Sequence, residues 1–459
     1  MIRSRHVIKT GFLIVLLAAL AVTRAAPSAS PDRSGDSDAV AEETYELFRM
    51  LADALDQVEQ NYVEPISRRE LFEAAIEGVI EKLDPYSSYI KPAEMDALRQ
   101  SVENQFSGIG VRLARSGGRL MVMNVIAGTP AFQAGLAAGD EIRAIEGRST
   151  EGASLEEVVQ RIKGPVGTNV RLTIQPASEP ETRQLSIRRD VIHIETVVGL
   201  ERRKDGSWQF MLDPERCVGY VHITLFGRET ALELKRIVQQ LRQEGLQGLI
   251  IDLRFNPGGL LQSAIDVADL FVAEGRIVSI IGRNTRPRKV TATREGSLVG
   301  FPIAVLVNRF SASGSEILAA CLQDHSRAAI VGERTWGKGS VQNVIELENG
   351  KSALKLTTSR YVRPNGENIH RASGAKDSDS WGVEPDTGLE IALNQEEISR
   401  LLLERRRRDL ADVPTAGDDD DAGASGNAPS DAETPLTNDR QLLQALAYVH
   451  EKLSERSAP

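Results

Sequence analysis

Ile303-Ala304-Val305-Leu306-Val307 runs directly into Asn308-Arg309-Phe310-Ser311-Ala312-Ser313-Gly314-Ser315-Glu316. Five consecutive aliphatic residues read as a strand buried on both faces. From Ser315 to Leu322 the spacing turns helical, so the stretch predicts strand, short polar junction, helix. That is the repeating unit of a layered α/β core. Such a junction brings side chains and unpaired helix-start N–H groups to one point. Ser313 reads there in two ways: a nucleophile beside amides that could hold an oxyanion, or the N-cap of a capping box closed by Glu316.

The same pattern extends outward over residues 216–362. Val218 to Leu225, Leu249 to Leu253 and Ile277 to Ile281 predict further strands. Glu229 to Glu244 and Leu260 to Val272 predict helices between them. Asp252-Leu253-Arg254-Phe255-Asn256-Pro257-Gly258-Gly259 leaves one strand. Its glycine pair either aims N–H groups into a cleft or makes an ordinary tight turn. Downstream, Gly332-Glu333-Arg334-Thr335-Trp336-Gly337-Lys338-Gly339-Ser340-Val341-Gln342 sets Lys338 between two glycines that let backbone approach closely. Lys338 is either a solvated loop residue or a base. As a base it must be desolvated, which draws an amine pKa from about 10.4 towards 7.

Residues 105–178 read as a separate β-rich module. Gly108-Ile109-Gly110-Val111 opens it, Leu120 to Val125 and Val170 to Ile174 are its strands, and Ser154-Leu155-Glu156-Glu157 is a capping box before an apolar helix face. Before it, Phe48, Leu51, Leu55, Val58 and Tyr62 recur at helical spacing, and Pro85 ends a second helical stretch.

At the N-terminus, Arg3, Arg5 and Lys9 precede the apolar run Gly11 to Val22, and small residues follow, with Thr23-Arg24-Ala25 as a candidate cleavage site. This is the layout of a secretory signal, residues 1–26, with an uncleaved anchor as the alternative. Both place the remainder outside the cytoplasm: periplasmic, or attached to the outer face of the inner membrane. A linker is expected at 27–40. Residues 417–435, with Asp418 to Asp421, are too polar to order themselves. Leu442, Leu446, Val449 and Leu453 then make a last amphipathic stripe, which needs its own domain or a second subunit to pack on.

The chain has 459 residues and a net charge of -10, which disfavours nucleic-acid binding. Cys217 and Cys321 form no C-x-x-C pair. They read as two separate buried thiols, a disulfide being the alternative. The six histidines lie outside any recognisable protease context. Ser373-Gly374-Ala375-Lys376 occupies a polar stretch rather than the start of a helix, which disfavours a penicillin-binding mechanism.

In order along the chain, Leu83-Asp84-Pro85-Tyr86-Ser87-Ser88-Tyr89, the β-rich module, Asp252 to Gly259, Ser311 to Glu316, Leu322-Gln323-Asp324 and Gly337 to Gln342 resemble the carboxyl-terminal processing (tail-specific) serine peptidases. The likeness covers roughly residues 45–390. It implies a multidomain α/β protein: a crotonase- or Clp-like peptidase core (179–395), an inserted PDZ domain (105–178), and helical regions at 41–104, 396–416 and 436–459. It further implies Ser313 as nucleophile, Lys338 as general base and Gln342 as the residue orienting the lysine. Gly258 or Gly259 would form the oxyanion hole with the Gly314 amide. Gly108, Ile109, Gly110 and Val111 would hold the carboxylate of a substrate C-terminus. Lys163, where many relatives carry arginine, would contact the peptidase and regulate it. Gly314 and Trp336 stand where alanine and phenylalanine are usual, and 371–385 resembles an insertion. The implied activity is acyl transfer on protein substrates without metal or cofactor. A homodimer or larger assembly is implied, and an adaptor lipoprotein is compatible with it. A catalytically silent PDZ scaffold is the alternative from another class.

Overall fold

The computed structural model describes residues 34–95, 98–99, 105–126, 128–203, 206–284, 286–409 and 438–457. The expected leader (1–26), the first part of the linker at 27–40 and the acidic stretch at 417–435 lie outside the described residues. The chain divides into two compact units that meet at Ala75 and Ile76.

In the first unit, helix α1 (Ser34–Asn61) begins inside the segment read as linker. It is followed by α2 (Arg68–Glu81), which crosses the unit boundary. Arg68 joins the two helices through Asp56 at 2.7 Å and Glu59 at 2.5 Å. Phe48, Leu51, Val58 and Tyr62, from the row expected to be a core face, are exposed.

The second unit contains the β-rich module: β1 (Gln105–Gly108), β2 (Val111–Ser116), β3 (Arg119–Val125), β4 (Glu141–Ile145), helix α3 (Leu155–Ile162), β5 (Asn169–Gln175), β6 (Arg183–Arg188) and β7 (Asp190–His193). The sheet runs β2-β3-β4-β5-β6, antiparallel throughout. It continues past residue 178, where the sequence reading ended the module, because β6 pairs with β5 from Asn169↔Arg188 to Ile174↔Arg183. Entry and exit strands β1 and β7 pair with each other. Alternate residues Val170, Leu172 and Ile174 turn inward with Leu120, Ile142 and Val158 to make the module's own core. The capping box forms as expected: Glu157 N–H donates to Ser154 Oγ at 3.2 Å, and Ser154 N–H to the Glu157 carboxylate at 2.8 Å.

Beyond it lies a six-stranded sheet whose parallel strands are β8 (Val218–Ile223), β9 (Gly248–Asp252), β11 (Ile303–Val307) and β12 (Ala329–Gly332), in that spatial order, with the short strands Val197–Val198 and Met211–Asp213 antiparallel to β8. Every residue of β9, β11 and β12 is buried, as two-sided covering requires. Val221, Leu249, Ile251 and Val305 face helices α4 (Thr230–Gln243), α5 (Leu261–Asp269) and α6 (Gly314–Asp324). Tyr220, Ile250, Ala304 and Leu306 face the opposite way, onto Leu442, Ala445 and Val449 of α8 (Arg440–Ser457). The C-terminal stripe thus covers the sheet of its own chain. The fit is close: a Cβ on Gly248 would lie 2.3 Å from Val449 Cγ1. Helix α7 (Gln395–Asp409) precedes it.

A second, antiparallel sheet contains β10 (Arg276–Gly282), β13 (Ser340–Leu347), β14 (Ser352–Val362) and the short strand Ser88–Ile90. The Ile277 to Ile281 run belongs to this sheet through pairing with β14, not to the parallel one. The described chain is a multidomain α/β protein. The carboxyl ends of β9, β11 and β12 lead into 253–259, 308–313 and 333–338, the three segments singled out by sequence. In open parallel sheets ligands bind at that edge.

Candidate active site

Ser313 sits between β11 and α6 with φ 56° and ψ −110°, a left-handed turn that is costly for a residue with a side chain. The expected capping box is only half formed. Ser313 N–H donates to Glu316 Oε2 at 2.7 Å, while Glu316 N–H goes to the Ser313 carbonyl. The serine hydroxyl is therefore released from capping. Its Oγ instead lies 2.9 Å from the Tyr361 hydroxyl.

The loop after β9 is stitched to this turn. Ala312 N–H and Ser315 Oγ both donate to the Asn256 carbonyl, at 3.0 Å each, and Ser311 Oγ donates to the Leu253 carbonyl at 2.8 Å. A Cβ on Gly258 would lie 2.7 Å from Ser313 Cβ and 2.9 Å from Gly314 N, so only glycine fits beside the serine. The Gly258 amide is occupied, donating to Asn256 Oδ1 at 2.8 Å, which removes it from the oxyanion candidates in this structure. Among the described residues the Gly259 and Gly314 amides have no acceptor.

Lys338 follows β12 in a loop that hangs on one carboxylate. Glu316, wholly buried, accepts from Thr335 Oγ1 (2.6 Å), Gly337 N–H (2.6 Å) and Lys338 N–H (2.8 Å) as well as from Ser313 N–H. Burial pushes its pKa up to about 6, against the pull of those four donors. Gly337 leaves no room for a side chain, since a Cβ would meet Arg371 Cβ at 2.7 Å and Trp381 Cε3 at 2.9 Å. The insertion-like stretch thus forms the wall behind the lysine, with Arg334 and Arg371 each stacked on the Trp381 ring. Burial, then the charge of Lys355, lowers the Lys338 pKa from its ordinary value, while Glu316 and Asp84 oppose the shift.

The Lys338 ammonium lies 5.0 Å from the centre of the Tyr86 ring, and no hydrogen bond joins it to Ser313 Oγ. Tyr86 belongs to a turn whose amides, with that of Ser87, cap Asp84 Oδ1 at 2.8 and 2.9 Å. Gln342 does not meet Lys338 as the resemblance implied. Its amide donates to Ser340 Oγ (2.9 Å) and Thr357 Oγ1 (3.2 Å), because a register shift after Val341 sets Gln342 opposite Thr357. Thr357 Oγ1 in turn donates to Asp84.

Behind the 253–259 loop, Arg254 is fully buried between Asp252 (2.7 Å) and Asp439 (2.8 Å), and Arg405 of α7 reaches Asp252 at 2.6 Å. Cys321 is buried and Cys217 half-buried, and the two form no disulfide. In the β-rich module, Gly108 to Val111 line a cleft of about 90 Å³ together with Val159, Ile162 and Lys163. Gly110 has φ 85°, and a Cβ there would collide with Thr129 at 2.4 Å.

The sequence points to Ser313 and Lys338, and the structure hangs the backbone amides of both on Glu316, which reads from sequence only as a capping partner; Asp84 reads only within the turn that carries the resemblance, and Tyr361, beside Ser313, has no reading from sequence at all. A buried acid with a serine N-cap was the one available signal for Glu316.

A left-handed serine at a helix start, spare amides beside it and a partly desolvated lysine whose backbone amide shares the Glu316 carboxylate are parts that a serine-type hydrolase uses. The family model for peptidase family S41 matches residues 217–389, a PDZ domain model matches 121–176, and the "Activating protease CtpB N-terminal domain" model matches 16–94. A carboxy-terminal-processing protease of Bartonella bacilliformis is 36% identical over 356 residues, covering 76% of this chain and 76% of the relative. The carboxy-terminal processing protease CtpA of Bacillus subtilis is 33% identical over 345 residues, covering 75% and 69%. The solved photosystem II D1 C-terminal processing protease is 29% identical with a TM-score of 0.42, covering 78% of this chain and 95% of that one. The chain belongs to peptidase family S41 and is a serine-type peptidase with a PDZ domain.

Proposed function

We propose that the protein is an exported carboxyl-terminal processing endopeptidase that works through Ser313 and Lys338. The observation that carries this reading is the Glu316 carboxylate, which accepts at once from the amide of Ser313 and from the amides of Gly337 and Lys338. One buried group thereby ties nucleophile and base to a common point. Lys338 is drawn towards neutrality by burial, which suits a general base.

In the reaction, Lys338 leaves the Tyr86 ring and its neutral Nζ takes the Ser313 proton. Oγ attacks the peptide carbonyl, and the oxyanion forms against the Gly259 and Gly314 amides. The C–N bond breaks as Lys338 returns the proton to the leaving amine. Water then attacks the ester, giving its proton to Lys338 and through it to Ser313 Oγ. Gln342 holds Thr357 and, beyond it, the Asp84 turn that carries Tyr86. The cleft at Gly108 to Val111 takes the substrate's terminal carboxylate on backbone amides, with the peptide adding as a strand. The basic and apolar leader supports an envelope location, and self-association through the helical regions belongs to the same reading.

The test is cleavage of β-casein by the chain lacking residues 1–26, beside Ser313→Ala and Lys338→Ala. Cleavage by the parent and by neither variant is expected. Cleavage that survives both substitutions sinks the site assignment. An inert parent turns the question to a scaffold or to an activator that brings Lys338 onto Ser313.

A further inference from the structure

We propose that Tyr361 is a further catalytic residue: its hydroxyl donates a hydrogen bond to Ser313 Oγ and stabilises that oxygen as it departs from the acyl-enzyme. The proposal rests on Ser313 being the nucleophile.

The hydroxyl lies 2.9 Å from Oγ, the protein atom that bonds to the substrate. Tyr361 is held independently of Lys338's side chain. Its N–H donates to the Gly339 carbonyl at 2.9 Å, its strand pairs with β10 at Ile280, and its ring is buried in the main apolar cluster. A tyrosine so fixed presents its hydroxyl to Oγ wherever the lysine points.

The direction of the hydrogen bond follows from the chemistry. In the free enzyme either oxygen can donate. In the acyl-enzyme Oγ is an ester oxygen without a hydrogen, so the contact persists only with Tyr361 as donor. Burial raises the phenol's pKa above its ordinary value, which keeps that proton in place. During deacylation water adds to the acyl carbon and its proton goes to Lys338 Nζ. The C–Oγ bond then breaks, the electron pair stays on Oγ, and Oγ takes the proton back from Lys338. Tyr361 keeps its own proton throughout; only its hydrogen bond tightens as charge collects on Oγ. Fixed donors of this kind act without reorganisation and are worth on the order of 10²-fold in rate.

Tyr361→Phe removes the donor and keeps the ring, and p-nitrophenyl acetate is the probe. The expected result is a nitrophenolate burst equal to the enzyme concentration, then a steady phase slowed by about 10- to 100-fold. Acetyl should accumulate on Ser313 in intact-mass spectra. A steady phase at the parent's rate overturns the proposal, as does equal slowing of burst and steady phase without accumulation. 3-Fluorotyrosine at position 361 keeps the hydroxyl and strengthens it as a donor, so a faster steady phase is expected and an unchanged one overturns the proposal even where the phenylalanine variant does not fold. A parent that hydrolyses the ester at a rate unchanged by Ser313→Ala overturns the serine reading itself, an outcome distinct from the failure of Tyr361 alone.

Discussion

Two carboxylates lie at the same edge of the parallel sheet, both fully buried, and they are satisfied by opposite means. Asp252 is held by two guanidiniums, Arg254 at 2.7 Å and Arg405 at 2.6 Å. Glu316 is held by four neutral donors and no cation. Burial opposes the charge of both. Arg254 and then Arg405 overcome it at Asp252 and hold that pKa far below the ordinary range. At Glu316 burial prevails and the pKa climbs to about 6. The first group is a permanent charge belonging to the scaffold. The second titrates under mild conditions, and the backbone amides of Ser313 and Lys338 both hang from it.

Arg254→Ala breaks the comparison from the scaffold side. It strands Asp252 and Asp439 as buried unpaired charges, a loss of about 3–5 kcal/mol. The midpoint of urea unfolding should fall accordingly, and a midpoint within error of the parent's would mean that water enters the site. Glu316→Gln attacks the other side. The amide cannot accept from all four donors, so Ser313 and the Lys338 loop lose their common anchor. A small misplacement of reacting groups costs on the order of 10² in rate, and β-casein turnover at neutral pH should drop by about that factor.

The two carboxylates also predict opposite pH effects. The folded pKa of Glu316, about 6, lies above its ordinary 4.5. Its proton therefore stabilises the folded state fully below pH 4.5, a contribution of roughly 2 kcal/mol that is lost as pH rises through about 6. Asp252 and Asp439 are depressed, so their contribution is present above the ordinary aspartate pKa of 3.8 and lost as pH falls through their lower folded values. Activity should show an acid limb near pH 6 that the folding equilibrium does not follow. Parallel pH series of casein cleavage and urea unfolding test this, and coincident limbs would assign the loss of activity to unfolding. The smallest effect concerns Tyr86, whose ring holds the Lys338 ammonium with about 0.5–1 kcal/mol. Tyr86→Leu should free the lysine and raise turnover a fewfold, and a fall would give Tyr86 a role in substrate binding.

Much of this was legible in the chain. A short uninterrupted aliphatic run such as Ile303 to Val307, with polar turn residues after it, reads as a strand covered on both sides, and the junction that follows carries Ser313. Ser313 and Lys338 each had a bland local reading, as helix cap and loop lysine, and only the ordered set of motifs resembling the family singled them out; the glycines around them were readable as points of close backbone approach. What escaped depends on long-range register. Tyr361 reaches Ser313 only because β14 pairs with β10, and Gln342 turns to Thr357 because of a one-residue shift against β14. Neither is encoded locally. The stripe at Leu442 to Leu453 announced an apolar face, but whether its partner lay in the same chain was undecidable from periodicity.

Arg254 and Asp439 are separated by 185 positions, and α8 is the element that completes the outer layer of the sheet. Contacts of such span form late, since the loop must close before it is rewarded. While the nascent chain is emerging, the sheet lacks one of its covers and the 253–259 loop lacks its clamp. Synthesis thus imposes a delay on arming: a polypeptide that cuts other polypeptides reaches its finished form only after its chain has been made past Asp439 and the helix that follows.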